Sequence, residues 1–297
     1  MYFGEGGFVD KGQTTPEKLV ADVRDLLSLP EITIQVNSMV EDPRVSAADI
    51  GDVISRDPSL TARLLRIANS PFFGLTTKVA TVSRAVAVVG SKKLRDLIIA
   101  TSAIRTFKGV PNQLVSMDDF WYHSLYCAIA SRLLAASRRI PHADSLFTAG
   151  LLHDIGQLII FNRLPEQARE ALRLSMEDPH DMDMHLAEQE VLGFDHAQVG
   201  GLLLRHWQLP GLLEECVTHH HAPEKAAHFP VEAAIVHIAN SIATLAEINS
   251  TSLEDVPKIQ ASAWKTSGLK EEIIEPVMRE TQKQFREARL LFLSDAA

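Results

Sequence analysis

The chain has 297 residues, 46% of them hydrophobic and 6% aromatic, which allows a substantial core and favours packed helices over a β-sandwich. Its formal net charge of −9 argues against general binding of nucleic acid. No apolar stretch is long enough to cross a bilayer, so the sequence predicts a cytoplasmic protein without a membrane segment.

The first part of the chain predicts short helices separated by proline, glycine and capping residues. Residues 1–13 are rich in glycine and lack apolar periodicity, which indicates a disordered leader. Pro16 then begins a helix, and Ser46 and Asp57 are typical N-caps of later ones. The predicted helices here include residues 58–69, 82–89 and 91–107.

Longer helices follow from Met117 onward, and glycine or proline marks most of their junctions. Their predicted bounds are 117–139, 144–161, 184–192, 196–207, 211–221, 231–247 and 270–292. No alternation of period two lasts long enough to form a sheet, so the predicted fold class is all-α. We expect an N-terminal helical subdomain at 14–110, a larger helical subdomain at 111–250 and a C-terminal helical extension at 251–297.

Positive charge is concentrated in the N-terminal part of the chain. Between Arg56 and Lys108 there are ten basic and two acidic residues, a formal charge of +8 within a chain of −9. Such a segment forms either ordinary solvated helix faces or a surface that docks an acidic partner. On the second interpretation the docking residues are Arg63, Lys92, Lys93 and Arg95.

His153 and Asp154 are adjacent within the predicted helix 144–161, which is apolar on nearly every side. Burying an imidazole beside a carboxylate costs free energy unless both groups find partners. The pair is therefore either a hydrogen-bonded element of the core or part of a metal site. Two residues alone do not fill a coordination shell, so further ligands are needed for the second interpretation.

Other side chains supply candidate ligands from successive helices. His123 lies early in the preceding long helix, His196 at a helix start, and His220 and His221 close a later helix, with Asn240 in the next one. Imidazoles and one carboxylate from several core helices are what a first-row metal site in a bundle requires. Four other histidines are interpreted as structural or surface residues and two as loop residues: His185, His206, His228 and His237, then His142 and His180.

Five short motifs follow one another in the second half of the chain. They are WYHS at 121–124, AGLLHDIG at 149–156, GFDHAQVG at 193–200, HHAP at 220–223 and IVHIAN at 235–240. Together with SRDPSL at 55–60 and RLLRIANS at 63–70, they resemble the HDOD family, a regulatory branch of the HD metal-dependent phosphohydrolases. The resemblance covers about residues 17–246. It implies a helical HDOD fold whose N-terminal helical subdomain packs on an HD-like helical bundle.

The same resemblance implies a ligand set, because the matching positions bind divalent metals in active HD enzymes. By that match His123, His153 and Asp154 are ligands of a first ion, with Asn240 in the place of the closing aspartate. His196, His220 and His221 match the further ligands of the two-metal HD-GYP phosphodiesterases. The implied cofactors are one or two divalent metal ions, Fe, Mn or Zn.

Three departures from active relatives argue against phosphodiester cleavage. Asn240 lacks the negative charge of the closing aspartate. Gln157 stands where active relatives commonly carry a lysine that contacts the substrate phosphate. The segment after His221 lacks the Gly-Tyr-Pro sequence of cyclic di-GMP hydrolases. Metal binding can survive these changes.

Two functions therefore remain open. The first is a bacterial signal-transduction module that is catalytically degenerate and acts through protein–protein contacts. Its partner would be a signalling protein in trans, such as a sensor, a receiver or a cyclic-nucleotide regulator. The second is a metal-dependent phosphohydrolase or cyclic-nucleotide phosphodiesterase. Asn240 in place of the closing aspartate and Gln157 in place of the phosphate-binding lysine favour the first function over the second.

Overall fold

The computed structural model describes residues 14–23, 27–108, 110, 113–141, 143–177, 182–256 and 258–293. These residues form helices joined by turns and loops and contain no strand, which confirms the all-α prediction. The leader predicted at 1–13 lies outside the described residues. Among the described helices, none combines the length with the apolar character that crossing a membrane requires.

The described residues up to Lys108 form six helices: α1 (Pro16–Val23), α2 (Glu31–Glu41), α3 (Ala47–Ile54), α4 (Pro58–Ala68), α5 (Val82–Val89) and α6 (Ser91–Lys108). Two of the predicted caps form as expected. The Ser46 side chain accepts a hydrogen bond from the backbone N–H of Asp49, and the Asp57 carboxylate accepts one from the backbone N–H of Leu60.

In the part of the chain that the structure describes after Lys108, ten α-helices follow: α7 (Met117–Ser137), α8 (Ala143–Leu152), α9 (Ile155–Arg163), α10 (Pro165–Glu177), α11 (Met184–Leu192), α12 (His196–His206), α13 (Gly211–His219), α14 (Pro230–Glu247), α15 (Ala261–Ser267) and α16 (Ile274–Phe292). Five of them begin and end within two residues of the prediction: α7, α11, α12, α13 and α14. The sequence did not predict α10 or α15. Helix α10 buries only Ala168 and Ala171, so it contributes little to the core.

One continuous core joins the N-terminal helices to the rest of the chain. Helix α7 packs against α8, α14 and α16, while α12 packs against α9, α13 and α1. The indole N–H of Trp207 donates to the carbonyl oxygen of Leu27 at 2.7 Å, and its ring lies against Phe107. The N-terminal helices therefore pack against the C-terminal end of α12 through the contacts of Trp207.

The single helix predicted at 144–161 is wrong, because α8 ends at Leu152 and α9 begins at Ile155. His153 and Asp154 occupy the turn between the two helices, and Asp154 has left helical geometry, with φ −97° and ψ 7°. The His153 side chain stabilises the turn, since its Nδ1 lies 2.8 Å from the carbonyl oxygen of Gly150. The apolar pattern runs through the break, so periodicity alone could not reveal it.

Gly156 allows the N-terminus of α9 to lie directly against the N-terminus of α12. A Cβ atom at this position would lie 2.0 Å from the carbonyl oxygen of His196 and 2.7 Å from the backbone nitrogen of Gly200. Both contacts are too short for any other residue without movement of the backbone. The close approach places His196 beside Asp154.

The expectation that Arg95 belongs to a docking surface is wrong, because its side chain is only 5% exposed. Its Nε donates to Asp96 at 2.9 Å and its Nη1 to Glu41 at 2.5 Å. Asp96 in turn accepts a hydrogen bond from Ser145. Arg95 thus neutralises a buried carboxylate and joins α6 to α2 and α8, a role that its charge alone did not indicate.

Candidate metal centre

All seven residues proposed as ligands meet in one region of the fold. Helix α7 contributes His123, the turn between α8 and α9 contributes His153 and Asp154, and α12 begins with His196. The remaining three are His220 and His221, which follow α13, and Asn240 in α14. Asp154 lies at the centre, and its two carboxylate oxygens face different groups of histidines.

The first group surrounds Oδ2 of Asp154. His153 Nε2 lies 3.1 Å from this oxygen and His123 Nε2 lies 3.7 Å from it. The two imidazole nitrogens are 3.3 Å apart, and Asn240 Oδ1 lies 2.9 Å from His123 Nε2. One ligand atom each from His123, His153 and Asp154 therefore falls within 4.8 Å of the others, close enough to share one ion.

The second group surrounds Oδ1 of the same carboxylate. His196 Nε2 lies 3.1 Å and His220 Nε2 3.5 Å from this oxygen. His221 Nε2 lies 3.0 Å from His196 Nε2. Ligand atoms of Asp154, His196, His220 and His221 all fall within 4.8 Å of one another. Asp154 is thus placed to bridge two ions, one on each side.

The opposite ring nitrogen of four histidines is held by a hydrogen-bond acceptor. His153 Nδ1 lies 2.8 Å from the carbonyl oxygen of Gly150, and His220 Nδ1 lies 2.8 Å from that of Val217. His196 Nδ1 lies 2.6 Å from the Glu188 carboxylate. His123 Nδ1 lies 3.1 Å from the Glu247 carboxylate. In a neutral ring such an acceptor places the proton on Nδ1. Nε2 is then unprotonated, and its lone pair can bind a metal.

With all of its rings neutral, as metal binding requires, the centre of the cluster therefore contains acceptors without donors. Lone pairs of the Nε2 atoms face the oxygens of Asp154 and Asn240, and like partial charges at about 3 Å repel one another unless a cation lies between them. Two buried atoms, Asp154 Oδ1 and His220 Nε2, have no hydrogen-bond partner. A buried unpartnered acceptor is costly, and a divalent cation is the group that satisfies this set.

The electrostatic surroundings prepare Asp154 as an anionic ligand. Burial alone would raise its pKa, but the neighbouring His153 outweighs burial and lowers the pKa well below the ordinary range. Burial lowers the pKa of His220 to about 4, so this ring is neutral near neutral pH. For His153 and His196 the carboxylates of Asp154 and Glu188 outweigh burial and raise the pKa well above its ordinary value.

Glu188 is a functional residue that sequence reasoning missed. It is fully buried in α11, and one of its oxygens accepts hydrogen bonds from both the backbone N–H and Nδ1 of His196. Gly193 ends α11 in a left-handed conformation, with φ 83°, so that the chain turns back toward Glu188. One sequence signal could have indicated this role: Glu188 follows the apolar residue Ala187 and lies eight residues before His196.

His185 also has a larger role than the structural or surface one expected from the sequence. Its ring stacks on that of His221, with ring centroids 3.9 Å apart. Its Nδ1 lies 3.2 Å from the carboxylate of Asp183, which lies 3.9 Å from Nδ1 of His221. These two residues support His221 from outside the cluster. His142 and His180, predicted in loops, lie outside the described residues.

A cavity of about 310 Å³ opens beside the cluster. Its walls include His123, Asp154, His196, His221 and Asn240, so a small molecule could reach either side of the Asp154 carboxylate. Gln157, predicted to bind substrate, also lines this cavity. Its neutral amide places no positive charge there.

The sequence pattern of the HDOD domain family matches residues 26–223 of this chain, which is more than half of its length. An uncharacterized protein of Treponema pallidum (strain Nichols) is 27% identical over 224 residues, covering 72% of this chain and 42% of that protein. The chain thus spans less than half the length of this curated relative.

Solved structures share the fold over nearly the whole chain. A candidate phosphohydrolase from Shewanella amazonensis SB2B is 26% identical with a TM-score of 0.71, over 92% of this chain and 97% of that one. An HDOD domain protein of unknown function from Geobacter sulfurreducens is 22% identical with a TM-score of 0.71, over 94% and 99%. A candidate signal transduction protein from Marinobacter aquaeolei VT8 is 21% identical with a TM-score of 0.72, over 93% and 61%.

The hydrogen bond between Glu188 and His196 provides a test of the ligand set. Glu188→Gln removes the charge that holds the His196 ring, and it is expected to weaken metal binding by roughly ten- to a hundred-fold. Competition for Zn²⁺ with a chromophoric chelator measures the change. Glu190→Gln, at an exposed position of the same helix, is the matched control. Equal affinities of wild type and Glu188→Gln would show that the charge of Glu188 does not support metal binding.

Proposed function

The chain belongs to the HDOD domain family, and on that premise we propose that it is a metal-binding regulatory domain with little or no catalytic activity. The observation that carries the proposal is the set of five imidazoles whose Nε2 atoms converge on Asp154 and on one another, an arrangement that contains no donor once the rings are neutral. Four of these rings have their other nitrogen held by an acceptor, which is how proteins orient histidines toward metals.

Two groups of side chains would hold the ions. His123, His153, Asp154 Oδ2 and Asn240 form the first group. The second consists of Asp154 Oδ1, His196, His220 and His221. Many imidazoles with one bridging carboxylate suit Fe, Mn or Zn better than Mg or Ca, which prefer oxygen ligands. When bound, such ions lower the pKa of a water ligand and neutralise phosphate oxygens.

Two neutral side chains are the reason why we propose little or no catalytic activity. Asn240 contacts His123 where a carboxylate would place a full charge on the first ion. Gln157 lines the cavity where a lysine would neutralise a substrate phosphate. Both changes reduce charge stabilisation of a phosphoryl transition state, and such stabilisation is usually the largest contribution to catalysis.

Phosphohydrolase activity is the second candidate function. The cavity beside the cluster favours it, because a ligand there can approach both sides of Asp154. The related candidate phosphohydrolase, which is 26% identical, also supports it. The neutral Gln157 and Asn240 weigh against it.

The proposed regulatory output is a contact with a signalling protein in trans, and the basic segment remains a candidate surface for it. Lys92 is exposed, whereas Lys93 pairs with Asp144 at 2.8 Å but keeps half of its side chain exposed. Arg63 is partly buried, and its Nη1 has no hydrogen-bond partner. Arg95 is buried and takes no part in this proposal.

Metal analysis of protein purified without chelators tests the proposed ligand set. One or two ions per chain are expected, and Asp154→Asn should lose them because this residue belongs to both groups. His228→Ala, at an exposed histidine, is the control. A metal-free wild-type protein that also fails to take up added Fe²⁺, Mn²⁺ or Zn²⁺ would contradict the proposal.

Metal binding should also depend on pH. The raised pKa values of His153 and His196 keep these rings protonated near neutral pH in the metal-free protein, so an ion must displace protons. The apparent affinity is therefore expected to rise as the pH rises. Calorimetric titration in buffers of different ionisation enthalpy measures the released protons, and binding without proton release would contradict this account.

The metal-loaded wild-type protein is expected to show negligible hydrolysis of cyclic di-GMP and other nucleotides. Gln157→Lys combined with Asn240→Asp restores the charges of active relatives and is the companion variant. Product formation is followed by chromatography with Fe²⁺ or Mn²⁺ present. Strong hydrolysis by wild type that His153→Ala abolishes would replace the regulatory function with the enzymatic one.

Charge reversal tests the docking surface. Lys92→Glu with Lys93→Glu should reduce recovery of an acidic partner from native lysate, most clearly at low salt, because exposed charges are screened over about 8–10 Å at physiological ionic strength. Lys265→Glu with Lys270→Glu, at two exposed lysines elsewhere, is the control. The same partners recovered in the same amounts by both variants would identify the segment as an ordinary solvated face.

A further inference from the structure

A second, larger cavity of about 830 Å³ lies between α7, α14 and α16. It adjoins the cavity beside the histidine cluster, since Asp119, His123 and Glu247 line both. Its volume is in the range of pockets that enclose a small organic molecule. One wall belongs to α16, which lies beyond residues 26–223 and so beyond the segment that matches the HDOD family.

Aromatic rings form one part of the lining. Phe285 of α16 packs against Tyr122 and Tyr126 of α7, with ring centroids 5.9 and 5.7 Å away. The Tyr126 hydroxyl donates to the carbonyl oxygen of Met278 at 3.1 Å, which anchors its ring on α16. Such rings bind apolar groups, and their faces also attract cations.

Carboxylates form another part of the lining. The described lining residues include Asp119, Glu247 and Glu275, against a single basic side chain, Arg279. Arg279 is already paired with Glu275, at 2.5 Å. Arg289 lies outside this lining, 5.5 Å from the centroid of the Tyr122 ring. Among the described lining residues, Asp119 and Glu247 therefore keep a formal charge of −2 that Arg279 does not compensate, and Glu247 lies 3.1 Å from Nδ1 of His123. This charge opposes the entry of a phosphate or carboxylate and favours a cation.

From these observations we propose that the cavity between α7, α14 and α16 binds a small organic cation, an alkyl- or arylammonium ion with an apolar body. The ammonium group lies near Asp119 and Glu247, and the apolar body contacts Tyr122, Tyr126 and Phe285. Aromatic rings combined with carboxylates are the arrangement that recognises ammonium groups in proteins. None of the proposed contacts is a metal ligand, so the proposal does not rest on metal binding, although Glu247 also holds the ring of His123.

The test compares cations with uncharged molecules of the same shape. The probes are phenethylamine and choline, and their neutral counterparts are 2-phenylethanol and 3,3-dimethylbutan-1-ol. Binding to the full metal-free chain is titrated by ligand-observed saturation-transfer NMR. Each cation is expected to bind at least about ten-fold more tightly than its neutral counterpart. Equal affinities, or no binding of either cation, would overturn the proposal without any variant being needed.

Two variants test whether the binding occurs in this cavity. Asp119→Asn with Glu247→Gln should reduce the affinity for the cations to that of the neutral counterparts, and Phe285→Ala should weaken both classes of probe. Glu31→Gln, at an exposed position of α2, is the matched control, and circular dichroism checks the fold of each variant. A cation preference that persists in the double variant would show that the binding occurs elsewhere.

Discussion

The repulsion among acceptors around Asp154 is the constraint on which the rest of the site depends. Five imidazoles and an amide oxygen surround one carboxylate, and no hydrogen-bond donor lies between them in the arrangement with neutral rings. The surrounding fold maintains this arrangement through backbone carbonyls and two carboxylates that hold the outer ring nitrogens. A cation at the centre converts these repulsions into attractions.

The break between α8 and α9 makes the arrangement possible. In one continuous helix His153 and Asp154 would point about 100° apart, whereas the turn brings His153 Nε2 within 3.1 Å of Asp154 Oδ2. The missing side chain of Gly156 then lets α12 approach until His196 reaches the other oxygen. Backbone geometry therefore places the Asp154 carboxylate between the two groups of histidines.

The sequence predicted the helices and the residues that converge around Asp154 more successfully than the residues that support them. The histidine motifs stand out because polar residues are rare in apolar helices, and all seven candidates meet in space. Glu188, Asp183 and Glu247 went unrecognised because their roles depend on contacts between helices that are distant in the chain. The prediction that Arg95 lies on the surface failed for the same reason. Its charge is buried because it pairs with Asp96 and Glu41, and Glu41 lies in a different helix.

The central claim is that metal ions occupy the two sides of Asp154, and anomalous X-ray scattering from crystals grown with Mn²⁺ or Zn²⁺ tests it most directly. The account predicts one or two anomalous peaks at about 2.0–2.2 Å from ring nitrogens of the cluster, with Asp154 as a shared ligand. Peaks found only on surface residues, with the histidines still converging around an ion-free centre, would contradict it.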